Sequence, residues 1–403
     1  MTFCQTFRPY PNVLGILVVV ESLRQDFVTP QTMPFLSRYQ DDSITFSHPT
    51  AAANSTHLGW YGLFQSDFPL FYIDYRKVDD PAGSPLFTFL KKAGFKLHVY
   101  SDNLVKEYFN SHESYFGKNG ILADSRITVS GPSLPENDAT LVSRFIDWIA
   151  SRPQGRHFVV LHLESAHHNY YWPGQEIAPF KPFAKNVIFT KVQYSANEVT
   201  AIRNRYLNSI YFLDQKIAHL LKAIRSTGLS DRAYVAVVGD HGEEFREHGA
   251  FVHGSNLYNP QLRSAMMFRF PGYNPQRIES VISTMDVLPS MLHAMGILGW
   301  ESVARGKSFL DPRSRQLPVL ATQSRALQHP YEFALCTPHF KLRLEINSEI
   351  PAASTSLTVT NIYRSDDTPY VPGSGTLEDY KQFLDKNFKQ ALAELRLFRH
   401  FSD

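Results

Sequence analysis

A polar segment in the middle of the chain has the residue types of a metal site. Asp240 and His241 follow the apolar run Ala233–Val238 after a single glycine. His248 and His253 lie in the loop beyond them. An adjacent carboxylate and imidazole could both bind a divalent metal ion. An ordinary polar turn after a strand would have the same composition, so this segment alone leaves both interpretations open.

A second carboxylate occupies a matching position near the start of the chain. Glu21 comes directly after the apolar run Val13–Val20. A charge at the end of a buried strand is unfavourable unless it faces a ligand or a metal ion. Alone, a glutamate in this position is more often a surface turn residue. Because ligands bind at the carboxyl ends of parallel strands, the sequence predicts that Glu21 and Asp240 lie at one edge of a sheet.

A hydroxyl group suited to nucleophilic chemistry is found where a helix is predicted to begin. Asn54, Ser55 and Thr56 follow a stretch of small residues and precede an apolar, aromatic segment. The N-terminus of a helix presents free N–H groups and a positive dipole end, which suit an oxyanion or a phosphate. A hydroxyl there is usually only a helix cap. To act as a nucleophile it needs activation, which a metal ion can provide.

Histidines extend the candidate site along a further strand. His167 and His168 lie just beyond the end of the apolar run Phe158–Leu163. His162 lies inside that run, and we interpret it as a core histidine with its hydrogen bonds satisfied. Taken together, the carboxylates, the hydroxyl and the histidines predict a metal-assisted group-transfer site.

The elements that must position these residues alternate along the chain. Continuous hydrophobicity is typical of strands buried on both faces, hence parallel strands. Five such runs are Val13–Val20, Lys96–Tyr100, Phe158–Leu163, Ala233–Val238 and Ala265–Phe270. Helices are predicted at Pro85–Ala93, at Ala139–Ala150, from a capping box at Ser195 and Glu198 to Gly228, and at Glu279–Met295. The pattern predicts a doubly wound α/β fold with a mostly parallel central sheet flanked by helices.

The pattern changes after about residue 315. Tyr331–Cys336 and His339–Ile346 resemble an antiparallel hairpin, and Leu357–Tyr363 a further strand. Thr376 and Asp379 form a capping pair before a last amphipathic helix. We therefore predict a catalytic domain over residues 1–315 and a small C-terminal α+β subdomain over residues 316–403.

Composition excludes several classes of protein. Among 403 residues, 40 Lys and Arg against 38 Asp and Glu leave a net charge of +2, which argues against a nucleic-acid partner. Two cysteines cannot form a disulfide framework. The longest apolar run, Val13–Val20, is far shorter than the ~20 residues of a transmembrane helix, and the first residues lack a signal-peptide pattern. As written, the chain is expected to be cytoplasmic. A periplasmic or extracellular location is the alternative if it is part of a membrane-anchored protein.

In their order along the chain, these segments resemble the alkaline phosphatase and sulfatase superfamily over residues 12 to about 345. The resemblance rests on NVLGILVVVES, the helix at Thr56, SAHHNYYWP, VVGDHGEEF, FRFPG and MDVLPSMLHAMGI. Arylsulfatases carry Cys or Ser in a C/S-x-P-S-R motif, whereas here Thr56 is followed by His-Leu-Gly-Trp. Thr56 together with Glu21 is similar to the phosphotransferase branch, which includes lipoteichoic acid synthases and phosphoethanolamine transferases.

The resemblance implies a role for each candidate residue. The implied metal ligands are Glu21, Thr56, Asp240 and His241, and the implied catalytic residues are Thr56, His167 and His253, with His168 and His248 as alternatives to the two histidines. The family implies one divalent ion, Mn, Zn or Mg, with a second ion possible. It also implies a small anionic or lipid-linked phosphate as substrate and a covalent phospho-Thr56 intermediate.

Two other functions stay open at this point. The first is a sulfatase, although the maturation motif is absent. The second is a catalytically silent lipid-binding or regulatory protein, because NSTHLGWYGLF resembles a membrane-anchored enterobacterial relative that regulates lipopolysaccharide synthesis. A stoichiometric divalent ion in the purified protein would favour an enzyme over the silent alternative. The sequence does not predict an oligomeric state.

Overall fold

The computed structural model describes residues 11–72, 75, 82–102, 115–174, 178–188, 193–314, 318–323, 331–346 and 357–397. The strands are β1 (Val13–Val20), β2 (Ile44–Thr50), β3 (Lys96–Asp102), β4 (Ser125–Val129), β5 (Arg156–Leu163), β6 (Ala233–Gly239), β7 (Glu244–Phe245), β8 (Phe251–Val252), β9 (Met266–Arg269), β10 (Gln276–Ser283), β11 (Val319–Thr322), β12 (Tyr331–Cys336), β13 (Phe340–Ile346) and β14 (Leu357–Arg364). The helices are α1 (Pro34–Tyr39), α2 (Thr56–Gln65), α3 (Pro85–Lys92), α4 (Leu134–Ala150), α5 (Ala196–Ser226), α6 (Asn259–Leu262), α7 (Val287–Ala294) and α8 (Leu377–Leu397).

A central eight-stranded sheet has the order β10-β2-β9-β6-β1-β5-β3-β4. All of its strands except β9 run in the same direction. Strands β6, β1 and β5 lie side by side, and their register aligns Val20 with both Leu163 and Gly239. The residues that follow these three strands therefore emerge next to one another at the carboxyl edge of the sheet.

Helices cover both faces of this sheet, which confirms the predicted doubly wound architecture. Leu17 and Val19 of β1 pack into the core that contains α2, α3 and α7. The intervening Ile16 and Val18 pack into a second core that contains α1, α4 and α5. Every residue of β1 is buried. This explains its continuous rather than alternating hydrophobicity, because side chains alternate between two apolar layers.

The direction predicted for one strand is wrong. The run Ala265–Phe270 does contain a strand, β9, but β9 is antiparallel to both of its neighbours, β2 and β6. Its residues Met266 to Phe268 are nevertheless buried. A strand that is apolar on both of its faces lies in a sheet that is covered on both sides. A single antiparallel strand inside such a sheet is covered in the same way as its parallel neighbours, so its composition does not reveal its direction.

The predicted helix Glu279–Met295 is wrong in its first part. Residues up to Ser283 belong to β10, which pairs in parallel with β2, and α7 begins only at Val287. Val281 and Ile282 are β-branched and buried, which suits a strand. Ser283 and Asp286 then form a capping box at the start of the helical segment.

A separate four-stranded antiparallel sheet, with the order β11-β12-β13-β14, follows the central sheet along the chain. The predicted hairpin forms as β12 and β13, and Thr376 and Asp379 cap α8 as expected. Lys341 of β13 is buried and donates to the backbone oxygen of Leu257, which lies in the loop after β8. The domain boundary at residue 315 stays a prediction. Within the described part of the chain, no helix is long and apolar enough to cross a membrane.

Two buried histidines form a hydrogen-bonded chain near the amino edge of the sheet. His157 Nε2 lies 2.9 Å from the carbonyl oxygen of Gln154, so this nitrogen carries the proton and Nδ1 is an acceptor. His98 Nε2 donates to that Nδ1 over 2.8 Å, and Ser125 Oγ donates to His98 Nδ1 over 2.7 Å. In this arrangement both rings are neutral, since each carries one proton and accepts with its other nitrogen.

The protein should therefore lose stability in mild acid. Burial, followed by the charge of His157, lowers the pKa of His98 to about 4, and burial lowers the pKa of His157. The unfolded chain binds these protons near pH 6.5, so the free energy of unfolding should fall by about 2 kcal/mol as the pH drops from 7 to 4. Urea denaturation at several pH values measures this slope.

The variant His98→Gln should flatten that slope, whereas His219→Gln on the exposed surface of α5 is the matched control and should leave it unchanged. An identical slope in wild type and His98→Gln would show that this histidine pair does not determine the acid response.

Candidate active site

The carboxyl ends of β1 and β6 bring the predicted metal ligands together. Glu21, Asp240 and His241 are fully buried, and one ligand atom from each lies within 4.8 Å of the others. His241 Nε2 is 3.3 Å from Glu21 Oε1 and 3.6 Å from Asp240 Oδ2. The sequence predicted that these residues meet, because they follow the ends of two apolar strands. Glu21 and Asp240 are nevertheless 219 positions apart in the chain.

Backbone contacts fix the orientation of the Asp240 carboxylate. Its Oδ1 accepts from the backbone N–H groups of Ser22 and His241, at 3.0 and 2.9 Å. Its Oδ2 is buried and has no hydrogen-bond partner within the described ranges. Ser22 adopts a positive φ of 55° at this turn. One oxygen is thus held by the backbone while the other faces the site.

Thr56 brings its hydroxyl group to the same point. Thr56 Oγ1 donates to Glu21 Oε1 over 3.2 Å and lies 3.1 Å from His241 Nε2. Ser55, the alternative nucleophile, is the N-cap residue of α2, and its hydroxyl contacts neither of these groups. Gly59 permits this approach of α2, because a Cβ there would lie 2.9 Å from the backbone oxygen of Asp240.

The tautomer of His241 follows from its second hydrogen bond. Nδ1 lies 2.8 Å from the carbonyl oxygen of Gly242, which can only accept. Nδ1 therefore carries a proton, and Nε2 faces Thr56 and the carboxylates. This is the arrangement that a metal-binding imidazole requires.

The electrostatics of the cluster favour a bound cation. Burial raises the pKa of Asp240, and the neighbouring negative charge of Glu21 raises it further. For Glu21, burial acts to raise the pKa, but the interaction with His241 outweighs it and holds the pKa well below the usual range. Two buried carboxylates this close repel each other unless a proton or a metal ion lies between them. The donor set of two carboxylates, one imidazole and one hydroxyl fits a divalent metal ion.

Further histidines from two loops surround the cluster. The rings of His167 and His168 are 4.1 Å apart, each lies 6.4 Å from the ring of His253, and His253 is 4.2 Å from His241. Both implied catalytic histidines, His167 and His253, are therefore brought to the site, together with the alternative His168. The other alternative, His248, lies elsewhere.

The ring of His248 stacks on Tyr258 at 3.9 Å, and its Nε2 is 3.8 Å from Asp367 Oδ2. It therefore contacts residues next to the C-terminal sheet, and not the group around Thr56.

Glu243 orients His253, and the sequence analysis missed this residue. The buried Glu243 carboxylate accepts from His253 Nδ1 over 2.7 Å through Oε2 and from the Tyr170 hydroxyl through Oε1. Burial acts to raise the pKa of Glu243, but the interaction with His253 outweighs it and lowers the pKa. A carboxylate can only accept, so His253 carries a proton on Nδ1. The only available signal was the acidic residue directly after Asp240-His241-Gly242.

Comparison with known proteins gives the family. A family model described as "Sulfatase" matches residues 11–297. The chain belongs to the sulfatase family. That match covers the central sheet and every residue of the site described above.

Several curated relatives of different function are similar to this sulfatase-family chain. The inner membrane protein YejM of Salmonella typhi is 22% identical over 289 residues, 70% of this chain and 41% of that protein. Arylsulfatase K of Xenopus laevis is 28% identical over 126 residues, 31% and 23% of the two chains. Kdo(2)-lipid A phosphoethanolamine 7''-transferase of Escherichia coli is 26% identical over 194 residues, 46% and 30%. The matches span less than half the length of each of these relatives.

Solved structures support the fold. The lipoteichoic acid synthase LtaP from Listeria monocytogenes superposes with a TM-score of 0.66 at 15% identity, over 96% of this chain and 92% of that chain. Phosphonate monoester hydrolase SpPMH from Silicibacter pomeroyi superposes with a TM-score of 0.67 at 14% identity, over 97% and 96%. At these identities the likeness shows the shared sulfatase-type fold. Relatives and neighbours thus include sulfatases, phosphonate hydrolases and transferases.

One interpretation from the sequence needs correction in this family member. His162 is buried as expected, but it is not a satisfied core residue. Its Nδ1 lies 2.9 Å from Glu164 Oε1, but without the alignment of a hydrogen bond, and neither ring nitrogen has a hydrogen-bond partner in the described part of the protein. Its Nε2 lies 4.0 Å from Glu21 Oε2, and Trp60 packs edge-on against the ring at 4.4 Å. The position of His162 inside an apolar strand predicts that its side chain is buried. It does not predict that the side chain lies next to Glu21.

Proposed function

We propose that the protein is a metal-dependent enzyme that transfers a phosphoryl or substituted phosphoryl group from a phosphate ester or diester, with Thr56 as the nucleophile. The observation that carries this proposal is the position of Thr56 Oγ1, which lies within 3.2 Å of both Glu21 Oε1 and His241 Nε2. This hydroxyl is also at the first position of α2, where the helix dipole favours an anionic group.

Glu21, Asp240, His241 and Thr56 would hold the metal ion. A bound divalent ion would lower the pKa of the Thr56 hydroxyl, so that its proton is released to solvent, and would neutralise charge on a non-bridging phosphate oxygen. Mn, Zn and Mg are all compatible with a donor set of this composition, and the sequence prediction of one such ion is retained.

Thr56 Oγ1 forms a bond to phosphorus while the bond from phosphorus to the leaving oxygen breaks. His253, protonated on both ring nitrogens, donates its Nε2 proton to that oxygen, and His167, next to it, stabilises the negative charge on the phosphoryl group. Water or an alcohol, giving up its proton to His253 Nε2, then displaces Thr56 Oγ1 from phosphorus, and Thr56 regains its proton from solvent. Transfer to water makes the protein a hydrolase, and transfer to an alcohol makes it a transferase.

The names of the relatives bear on substrate and location. A lipid A phosphoethanolamine transferase and a lipoteichoic acid synthase support a lipid-linked phosphate as substrate. The relative named an inner membrane protein supports action at a membrane surface, and the similarity to the periplasmic domain of EcEptC from Escherichia coli supports the periplasmic alternative over the cytoplasmic location expected from the sequence as written. The near-neutral charge argues against a nucleic-acid partner.

The assay that tests the proposal compares three chromogenic esters: p-nitrophenyl phosphate, bis(p-nitrophenyl) phosphate and p-nitrophenyl sulfate. The protein loaded with Mn²⁺ or Zn²⁺ should cleave at least one phosphate ester, lose this activity with a chelator, and regain it when the metal is restored. Added glycerol should yield glycerol phosphate if the protein is a transferase.

The similarity to arylsulfatase K supports a sulfatase as the second candidate. Turnover of the sulfate ester alone would establish that function and contradict ours. A metal-free protein that cleaves none of the esters and retains a bound lipid would establish the silent alternative, for which the similarity to YejM is the support.

A further inference from the structure

A cleft lies beside the amino edge of the central sheet, between α1 and the last turns of α5. It encloses about 460 Å³, including the solvent at its mouth. The rings of Phe35 and Tyr39 and aliphatic side chains of α5 and β6 form the apolar part of its wall. The charged part consists of Lys222, Arg225 and Arg269, and among the described residues no acidic side chain lines the cleft. The cleft therefore combines an apolar surface with positive charge.

Arg269 brings a guanidinium group to a covered face of the sheet. It is the last residue of β9 and pairs with Val235 of β6. Side chains of directly paired residues lie on the same face of a sheet, and Val235 packs into the core that contains α1, α4 and α5. Arg269 is only partly exposed, and its guanidinium has no hydrogen-bond or ion-pair partner in the part of the chain that the structure describes. Because arginine stays charged and offers five donors, this group is suited to bind an anion.

Tyr39 provides a second unsatisfied group in the wall of the cleft. Its side chain is more than nine-tenths buried, and its hydroxyl has no aligned hydrogen-bond partner within the described ranges. Ser43 Oγ donates instead to the backbone carbonyl oxygen of Tyr39, over 2.7 Å. Burial raises the pKa of Tyr39, and the charge of the nearby Arg269 acts to lower it, but the hydroxyl keeps its proton. An anion held by Arg269 would supply the missing acceptor for this proton.

Contacts between α1 and α5 hold the walls of the cleft in place. The Asp214 carboxylate of α5 accepts from the backbone N–H groups of Phe35 and Leu36, each over 2.8 Å, and so fixes the start of α1. The rings of Phe35 and Tyr39 stack with their centres 6.0 Å apart. Lys222 Nζ lies 5.9 Å from the centre of the Phe35 ring. A ligand would thus bind to a surface that is already formed.

The cleft is distinct from the candidate active site. Val235 is the third residue of β6, and Asp240 follows the carboxyl end of the same strand. Five residues of extended chain separate the two positions, a distance of roughly 17 Å. A ligand in the cleft would therefore contact neither the metal ligands nor Thr56.

We propose that this cleft binds an organic phosphate, with the phosphate group on Arg269 and the Tyr39 hydroxyl and the apolar part of the ligand against Phe35. This binding site goes beyond the proposed function and does not depend on it. A soluble phosphate ester and the headgroup of a phospholipid share this chemistry.

The charge of the cleft suits a phosphate dianion. The fork of the Arg269 guanidinium matches two phosphate oxygens, and Lys222 and Arg225 add positive charge at the same cleft. Arg225 lies 3.7 Å from Asp42, but both side chains are largely exposed. Such a surface ion pair contributes little stability, so Arg225 can exchange it for a ligand.

The experiment is a calorimetric titration of the protein with hexyl phosphate in the presence of a chelator, which prevents a metal ion from holding phosphate at the active site. We expect one hexyl phosphate per chain. Inorganic phosphate and hexanol should bind far more weakly, because each lacks one half of the ligand. Arg269→Met should lower the affinity for hexyl phosphate by roughly 10-fold or more, and Tyr39→Phe by roughly 3-fold or more.

Sedimentation with vesicles separates the two sources of the ligand. If the ligand is a lipid headgroup, vesicles of phosphatidylcholine with added phosphatidic acid should carry down wild type but not Arg269→Met. Binding of hexyl phosphate without binding to these vesicles would identify a soluble phosphate ester instead. Both results support the site.

Arg144→Met is the matched control, because it removes the same charge from the exposed surface of α4. It should bind hexyl phosphate as wild type does. No binding in wild type, equal affinity in wild type and Arg269→Met, or an equal loss in Arg144→Met would overturn the site and leave the proposed function standing. Circular dichroism of each variant checks folding, and Tyr39→Phe, which keeps the ring, tests the site even if Arg269→Met does not fold.

Discussion

Replacing Thr56 with alanine should lower kcat/KM for phosphate esters by roughly 10⁴-fold or more, because the attacking oxygen is lost while the rest of the site remains. Thr56 is the first residue of α2, and the N-cap position before it is Ser55, so the Thr56 side chain does not cap the helix. Alanine at this position should therefore leave the melting temperature almost unchanged. Steady-state kinetics with bis(p-nitrophenyl) phosphate measure the effect.

Two variants serve as controls for this result. Thr56→Ser keeps a hydroxyl near Glu21 and His241 and should retain part of the activity. Ser55→Ala removes the neighbouring hydroxyl, which contacts neither of these residues, and should reduce activity by no more than a few-fold. Loss of activity in Ser55→Ala with full activity in Thr56→Ala would transfer the nucleophilic role to Ser55.

The second large effect is expected at Glu243. Changing Glu243 to glutamine should lower kcat by roughly 10- to 100-fold with little change in KM. The glutamine side chain keeps the size of glutamate. Its amide has only one oxygen, however, so it cannot accept from His253 Nδ1 and from the Tyr170 hydroxyl through two separate oxygens as Glu243 does. His253 Nε2 would then be presented in the wrong tautomer or orientation for proton donation. Nuclear magnetic resonance of ¹⁵N-labelled histidine should show the altered tautomer directly.

Glu247→Gln is the matched control for Glu243→Gln. Glu247 is an acidic residue of the same loop and contacts Arg24 instead of a site histidine. It should change kcat by less than the Glu243 variant does, and it should leave the tautomer of His253 as in wild type. Equal losses of activity in both variants, with an unchanged His253 signal, would mean that Glu243 only stabilises the loop.

Much of the fold follows from local sequence patterns. Buried strands such as β1 and β6 are apolar throughout because both faces of the sheet are covered, and capping residues mark the starts of α3, α5 and α8. Strands with weaker patterns were not predicted. β2 contains His48 and Pro49, and β4 is an edge strand with alternating exposure. Such strands depend on their pairing with neighbours more than on their own composition.

In the candidate site too, some residues could be predicted from the sequence and others could not. Glu21 could be predicted because it directly follows an apolar strand. Asp240 and His241 could be predicted because this pair directly follows the glycine that ends another apolar strand. His162 and Glu243 could not, since their roles depend on which side chains they meet. His162 faces Glu21 only because β5 lies beside β1, and Glu243 meets His253 and Tyr170 only after two loops fold together.

The measurement that tests the central claim most directly is mass spectrometry of the protein quenched in acid during turnover of a phosphate ester. The peptide that contains Thr56 should carry a phosphoryl group, or the substituted phosphoryl group of a diester, on the Thr56 side chain. The same peptide from Thr56→Ala should be unmodified. An active enzyme that shows no modification of Thr56 at any quench time, or one modified on Ser55 instead, would contradict the proposed mechanism.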